Sequence, residues 1–192
     1  MIAHLNYQVD KEYYRNIFYQ KQETGGWHKE GDVILDYWWK VFDIDDDVMP
    51  ITKDLGIDHL VTKPRFSYQL PNSTLPNHID QDRIIGININ LMPILPTVII
   101  NKKLYKYDSC LIDVGSKIHS VKSNNHPRLV LKYAIRSTWN EIYSILNNRG
   151  LIDHKKTEKD NKNYKNYVSN ILSDDIKYVR NKGSIVKKNY KY

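Results

Sequence analysis

A mainly β fold is what this sequence predicts: an all-β sandwich or barrel, with helices flanking it at the N-terminus and the C-terminus. Three observations lead there. Between residues 61 and 136, short alternating apolar runs recur, punctuated by Pro, Gly and Asn, the pattern of antiparallel strands joined by turns. On either side of that region the apolar spacing becomes helical. No segment repeats at a period of ~20–50 residues, which excludes a solenoid or propeller.

Taken in chain order, helix-like spacing is found in Asp10–Gln22 and in an Asp32–Phe42 segment holding Trp38, Trp39 and Phe42, with Gly25-Gly26 between them. Asp43, Asp45 and Asp47 begin like a calcium loop, but Val48 stands where such a loop needs Gly, so an acidic solvated loop is expected. Strands are predicted over Arg65–Leu70, stopped by Pro71, and over Arg83–Leu91, followed by Pro93. An Asn72 to Asn77 loop is expected between these two. Thr97–Asn101 and Leu104–Tyr107 flank an Asn-Lys-Lys turn; Ser109–Val114 ends at Gly115; Ile118–Lys122 and Arg128–Arg136 complete the set. The period then changes again. Trp139, Ile142, Tyr143 and Leu146 fall at i, i+3, i+4 and i+7, and Gly150 is a stop signal.

Composition bounds the function classes. The 192 residues suit one domain, and 41% hydrophobic content is enough for a packed core rather than a disordered chain. The single Cys110 excludes an internal disulfide and a Cys-rich zinc site, and its apolar neighbours make it a buried inert thiol. With no run of ~18 apolar residues and no signal-like N-terminus, a cytoplasmic protein without a membrane span is expected. Net charge is +7, unevenly spread. Residues 153–192 hold eleven Lys/Arg against five Asp/Glu, so a nearly neutral domain of residues 1–152 precedes a basic C-terminal extension. The domain comprises a β core at about 61–136 and a helix at about 137–149. The extension is either a solvated tail or a charged holder of nucleic acid or an acidic partner.

Seven histidines are the candidates for metal or acid–base work. His4, His28, His59 and His154 have no supporting pattern and read as surface or capping residues. His78-Ile79-Asp80 differs, because an i, i+2 spacing lets an imidazole and a carboxylate leave one strand on the same side and bind one octahedral metal. A second strand-borne histidine, His119, follows 41 residues after His78, and Arg128 comes nine residues later. His28-Lys29-Glu30 has a related form outside the strand region, and His126 lies in the turn-like Asn-Asn-His-Pro run; both are set aside. In Arg83–Leu91, Ile85, Ile87, Ile89 and Leu91 share one face and Gly86, Asn88 and Asn90 the other. That second face is either solvent or a polar pocket.

His78-x-Asp80, a strand bearing Asn88, then His119-Ser120-Val121 and Arg128 together resemble the iron(II)- and 2-oxoglutarate-dependent dioxygenases. The similarity is to small double-stranded β-helix members near the aspartyl/asparaginyl β-hydroxylase branch, and it covers about residues 61–136. The resemblance implies a cupin-like jelly roll in which His78, Asp80 and His119 hold Fe(II). It also implies that Arg128 fixes the distal carboxylate of 2-oxoglutarate, and that the cosubstrate yields succinate and CO2 as a substrate is hydroxylated. Arg suits the task because its guanidinium stays charged and offers a planar bidentate fork. Asn88 and Tyr68 are the further candidates at the cosubstrate. Many such oxygenases carry a Ser or Thr two residues after the Arg; Val130 stands there, and Lys132 on the same strand face either compensates or reaches solvent. Family members act on protein side chains, nucleic-acid bases and small molecules. The alternatives are a cupin-like metal-binding protein without catalysis and a basic nucleic-acid- or acidic-partner-binding protein.

Overall fold

The computed structural model describes residues 1–23, 27–29, 38–41, 44–80, 85–122, 125–165, 178–181 and 184–187. In chain order they form β1 (Ile2–His4), α1 (Lys11–Glu23), β2 (Trp27–Lys29), β3 (Trp38–Val41), α2 (Asp45–Leu55), β4 (Val61–Gln69), β5 (Thr74–Asp80) and β6 (Ile85–Asn90). There follow β7 (Thr97–Ile100), β8 (Lys103–Lys106), β9 (Ser109–Asp113), β10 (His119–Lys122), β11 (Arg128–Ile135), α3 (Trp139–Asn148), α4 (His154–Lys165), β12 (Tyr178–Asn181) and β13 (Ser184–Lys187).

Two sheets result. One runs β1-β9-β6-β11-β4-β3-β2 and the other β13-β12-β5-β10-β7-β8. From β4 to β11 the chain passes back and forth between the sheets, and only the β7–β8 hairpin keeps two consecutive strands in one sheet. Among the described residues, all pairings are antiparallel except that of β12 with β5. This is the predicted jelly roll, with consecutive strands wound alternately into facing sheets.

Strand parity builds two separate cores. Ile85, Ile87 and Ile89 of β6, and Leu129, Leu131, Tyr133 and Ile135 of β11, face outward and pack under the helices with Phe18, Val48, Leu55, Ile142 and Leu146. The second cluster fills the space between the sheets and includes Ile2, Leu75, Val98, Ile100, Tyr105, Tyr107, Cys110, Ile112 and Val121. Each fully buried aliphatic side chain contributes roughly 1.5–3 kcal/mol, so both cores matter to stability. All six residues of β6 are buried. Its Asn face is therefore the barrel interior and not solvent.

Local chemistry sets the helix ends. Asp10 Oδ1 accepts the Tyr13 N–H at 3.0 Å ahead of α1, and Thr138 caps α3, its Oγ1 accepting the Glu141 N–H at 3.2 Å. Gly150, at φ 69°, closes α3 as predicted, with Leu151 N–H returning to Leu146 O at 2.9 Å.

Several expectations are corrected. Trp38–Val41 is strand β3, paired with β4, and not helix; the remainder of Asp32–Phe42 lies outside the described residues. The acidic run opens helix α2 instead of forming a loop: Asp45, Asp46 and Asp47 occupy its first turn, where the helix dipole favours negative charge. Pro50 masks this helix in the sequence, but Val48, Ile51 and Leu55 bury one face of it. The Asn72 to Asn77 loop is largely strand, because β5 begins at Thr74. His4 is no surface residue; it is 2% exposed in β1. Within the basic C-terminal region, α4 docks on β1, with the His4 N–H donating to Thr157 Oγ1 at 2.9 Å and the His4 ring paired with Asp160 at 2.8 Å.

Candidate metal centre inside the barrel

The site begins with an irregularity in β5. Leu75 pairs with Val121 and His78 with His119, so three steps along β5 match two along β10. That is a β-bulge, and Pro76 stands inside it, a position that tolerates a missing N–H. A regular strand would send residues 75 and 78 to opposite faces. With the extra residue, Leu75 joins the interior apolar cluster and His78 meets His119 across the ladder. Asp80 follows at i+2, anchored by its N–H to Val114 O at 3.0 Å.

The predicted triad converges. One ligand atom from each of His78, Asp80 and His119 lies within 4.8 Å of the others, and all three residues are buried. His78 Nε2 stands 3.4 Å and His119 Nε2 4.0 Å from Asp80 Oδ1. The imidazole centroids are 4.1 Å apart. His119 Nδ1 lies 3.1 Å from Lys117 O. A carbonyl only accepts, so Nδ1 carries the proton and Nε2 presents its lone pair toward Asp80. Metal bonds of ~2.1 Å set ligand atoms about 3 Å apart in an octahedral face, so a small contraction completes the set. Two neutral nitrogens and a carboxylate, clustered away from bulk water, fit a first-row divalent ion.

The barrel interior also carries a polar wall. Parity sends Arg128, Val130 and Lys132 of β11 inward, opposite to Leu129, Leu131 and Tyr133. On β4 it sends Arg65, Ser67 and Gln69 inward, opposite to Phe66 and Tyr68. Arg65, Arg128 and Lys132 are 6%, 5% and 4% exposed. Three side-chain cations on one interior wall favour anionic ligands. Arg128 donates from Nη2 to Tyr107 Oη at 2.7 Å, and Asn88 Nδ2 approaches the same oxygen at 3.5 Å. Burial pushes the Tyr107 phenol above its ordinary range, a shift the neighbouring guanidinium partly opposes. The phenol therefore keeps its proton, and with its oxygen accepting from Arg128 that proton is directed elsewhere.

Asn88, expected at the cosubstrate, approaches the same Tyr107 oxygen that accepts from Arg128. Tyr68 is not brought to this group: it lies on the helix side of the sheet, stacked on Phe18 with centroids 5.4 Å apart. His126 is exposed in a bend and His59 and His154 are exposed, all apart from the triad. His28 sits in β2, a strand the sequence reading did not expect, while Glu30 lies outside the described residues. Tyr107 is the residue that sequence reasoning passed over. Its signal was the i, i+2 pair Tyr105 and Tyr107 at a strand end, though only the barrel reveals a guanidinium beside it.

In structure, the chain is similar to a prolyl-4-hydroxylase from Pseudomonas putida, with a TM-score of 0.52 at 10% identity, covering 72% of this chain and 92% of that one. It is also similar to a Trichoplax adhaerens prolyl hydroxylase solved with a hypoxia inducible factor oxygen degradation domain peptide fragment, with a TM-score of 0.53 at 12% identity, covering 76% and 86%. The chain has their jelly-roll fold. No family model and no curated protein matches the sequence. The likeness is one of architecture. Among the described residues, no helix of this jelly roll is long and apolar enough to cross a membrane.

Proposed function

We propose that the protein is an Fe(II)- and 2-oxoglutarate-dependent oxygenase that hydroxylates its substrate with release of succinate and CO2. The observation that carries this reading is the convergence of His78, Asp80 and His119 within 4.8 Å inside a barrel whose interior wall also holds the buried Arg128. His78, Asp80 and His119 would hold the ion, and a donor set of two imidazoles and one carboxylate would leave room for a chelating 2-oxo acid. Bound iron would supply the redox chemistry that couples decarboxylation of the 2-oxo acid to hydroxylation.

The side chains divide the work. His78 and His119 give neutral nitrogen donors, the latter oriented by its bond to Lys117 O. Asp80 supplies the anionic oxygen that offsets part of the metal charge. Arg128 and Tyr107 bind the distal carboxylate of 2-oxoglutarate, the guanidinium through charge and the phenol by donating its O–H. Burial strengthens each of these contacts, because charge interacts more strongly where water is excluded. Under this reading the fold places no limit on substrate class, which spans protein side chains, nucleic-acid bases and small molecules.

The test is an anaerobic titration with Fe(II) and 2-oxoglutarate. A visible metal-to-ligand charge-transfer band is expected in the parent protein, and well-folded protein that never develops it overturns the proposal. His78→Ala is expected to abolish the band and succinate formation together, through loss of a metal ligand.

A further inference from the structure

The arginine of the site lacks the hydroxyl that would ordinarily accompany it two residues later, because Val130 occupies that position. The register of the larger sheet shows what stands in its place. Val130 pairs directly with Ser67 of β4, and Arg128 pairs with Gln69. Directly opposed residues of an antiparallel pair share a face, with Cβ atoms about 4.5–5.5 Å apart. Ser67 therefore presents its side chain to the same patch of barrel interior as residue 130, diagonal to Arg128. Lys132 lies farther along β11, paired with Arg65 and Asn88.

Ser67 also has a polar atom in need of a partner. The residue is 0% exposed, and its Oγ has no hydrogen-bond partner among the described residues. Ser73 and Ser109, by contrast, place their hydroxyls on Leu70 O at 2.6 Å and Tyr7 O at 3.0 Å. Buried hydroxyls are rarely left unbonded, so an unbonded one facing a cationic wall points to a ligand oxygen. Val130 fits the same picture, being fully buried yet belonging to neither apolar cluster. Its interior neighbours are polar.

We infer that Ser67 is a binding residue for the distal carboxylate of the cosubstrate, its hydroxyl supplied from β4 in place of the one missing at position 130 of β11. The inference rests on the oxygenase reading above and deepens it. The carboxylate takes charge-assisted bonds from the Arg128 guanidinium and one O–H each from Tyr107 and Ser67. No covalent step is involved; Ser67 contributes affinity and selects for a 2-oxo acid with a second carboxylate.

Calorimetric titration of the full chain, loaded with Mn(II) in place of iron, tests this. Two ligands are compared: 2-oxoglutarate, and 2-oxobutyrate, which has the same 2-oxo acid head and no distal carboxylate. Ser67→Ala is expected to weaken 2-oxoglutarate about ten- to a hundredfold, the range for a lost hydrogen bond to a charged group, and to leave 2-oxobutyrate unchanged. Adding Val130→Thr, which keeps the shape of valine and returns a hydroxyl to β11, should recover most of the loss. A Ser67→Ala protein that binds 2-oxoglutarate like the parent, or loses both ligands equally, overturns the inference alone. A parent protein that takes Mn(II) but neither 2-oxo acid overturns the cosubstrate reading and this inference with it.

Discussion

Tyr68 and Tyr107 carry the same phenol and end on opposite sides of the barrel wall. Tyr68 stacks on Phe18 beneath the helices, whereas Tyr107 is 0% exposed between the sheets with Arg128 Nη2 at 2.7 Å. Their substitution should separate packing from ligand binding. Tyr107→Phe removes one donor and is expected to lower 2-oxoglutarate affinity about tenfold, while Tyr68→Phe leaves it unaltered. Arg128→Ala should cost a hundredfold or more, since it removes the guanidinium proposed to face the distal carboxylate and leaves Tyr107 without its charged partner. Titration of the cosubstrate into the three variants checks the ranking. Equal losses for both tyrosine variants would contradict the assigned faces.

Among the elements, α4 and β1 are joined through a titratable contact. His4 Nε2 meets Asp160 Oδ2 at 2.8 Å, and since a carboxylate accepts, Nε2 carries the proton. Burial holds the His4 imidazole below its ordinary value of 6.5, outweighing the upward pull of Asp160. The unfolded chain therefore binds a proton more readily than the folded one. The contribution of His4 to stability is complete above pH 6.5 and is lost as pH falls from there through the lower folded value. Acidification from pH 7.5 to 5 should loosen α4, seen as faster hydrogen exchange at the Thr157 amide after correction for intrinsic rates. His4→Gln keeps a donor for Asp160 and removes the titration. Its exchange should lose most of that pH dependence, and an unchanged dependence would point to another group.

Considered whole, the molecule leaves the strand of His78 and Asp80 covered by chain from its own C-terminal region. β12 pairs in parallel with β5, opposing Tyr178 to His78 and Arg180 to Asp80. We propose that α4 and β12 buttress the domain, while the Lys and Arg residues of 153–192 supply positive charge. Ending the chain after Lys165 bares the β5 edge, and an exposed edge invites pairing with other chains. Weaker Mn(II) binding and self-association are the expected results, read by calorimetry and light scattering. Ending it after Asp153 also removes α4 and should lower the melting temperature by about 5–10 °C, at roughly 2–4 °C per kcal/mol for a chain of this size. Truncated protein that matches the parent in both measurements would return the region to the status of a solvated tail.

Much of this was legible in the chain itself. Alternating apolar residues marked seven of the core strands, and the i, i+2 spacing of His78 and Asp80 marked a shared face, because strand geometry repeats every two residues. β5 escaped for a physical reason: Pro76 and Asn77 are poor strand formers, and only pairing with β10 and β12 makes them one. α2 escaped because Pro50 interrupts its pattern. Tertiary structure alone decided which face of β6 is interior, that a bulge brings His78 beside His119, and that Ser67 lies level with Val130. Those outcomes depend on register between strands distant in sequence, and register is set by how the whole barrel buries its apolar faces rather than by any local run of residues.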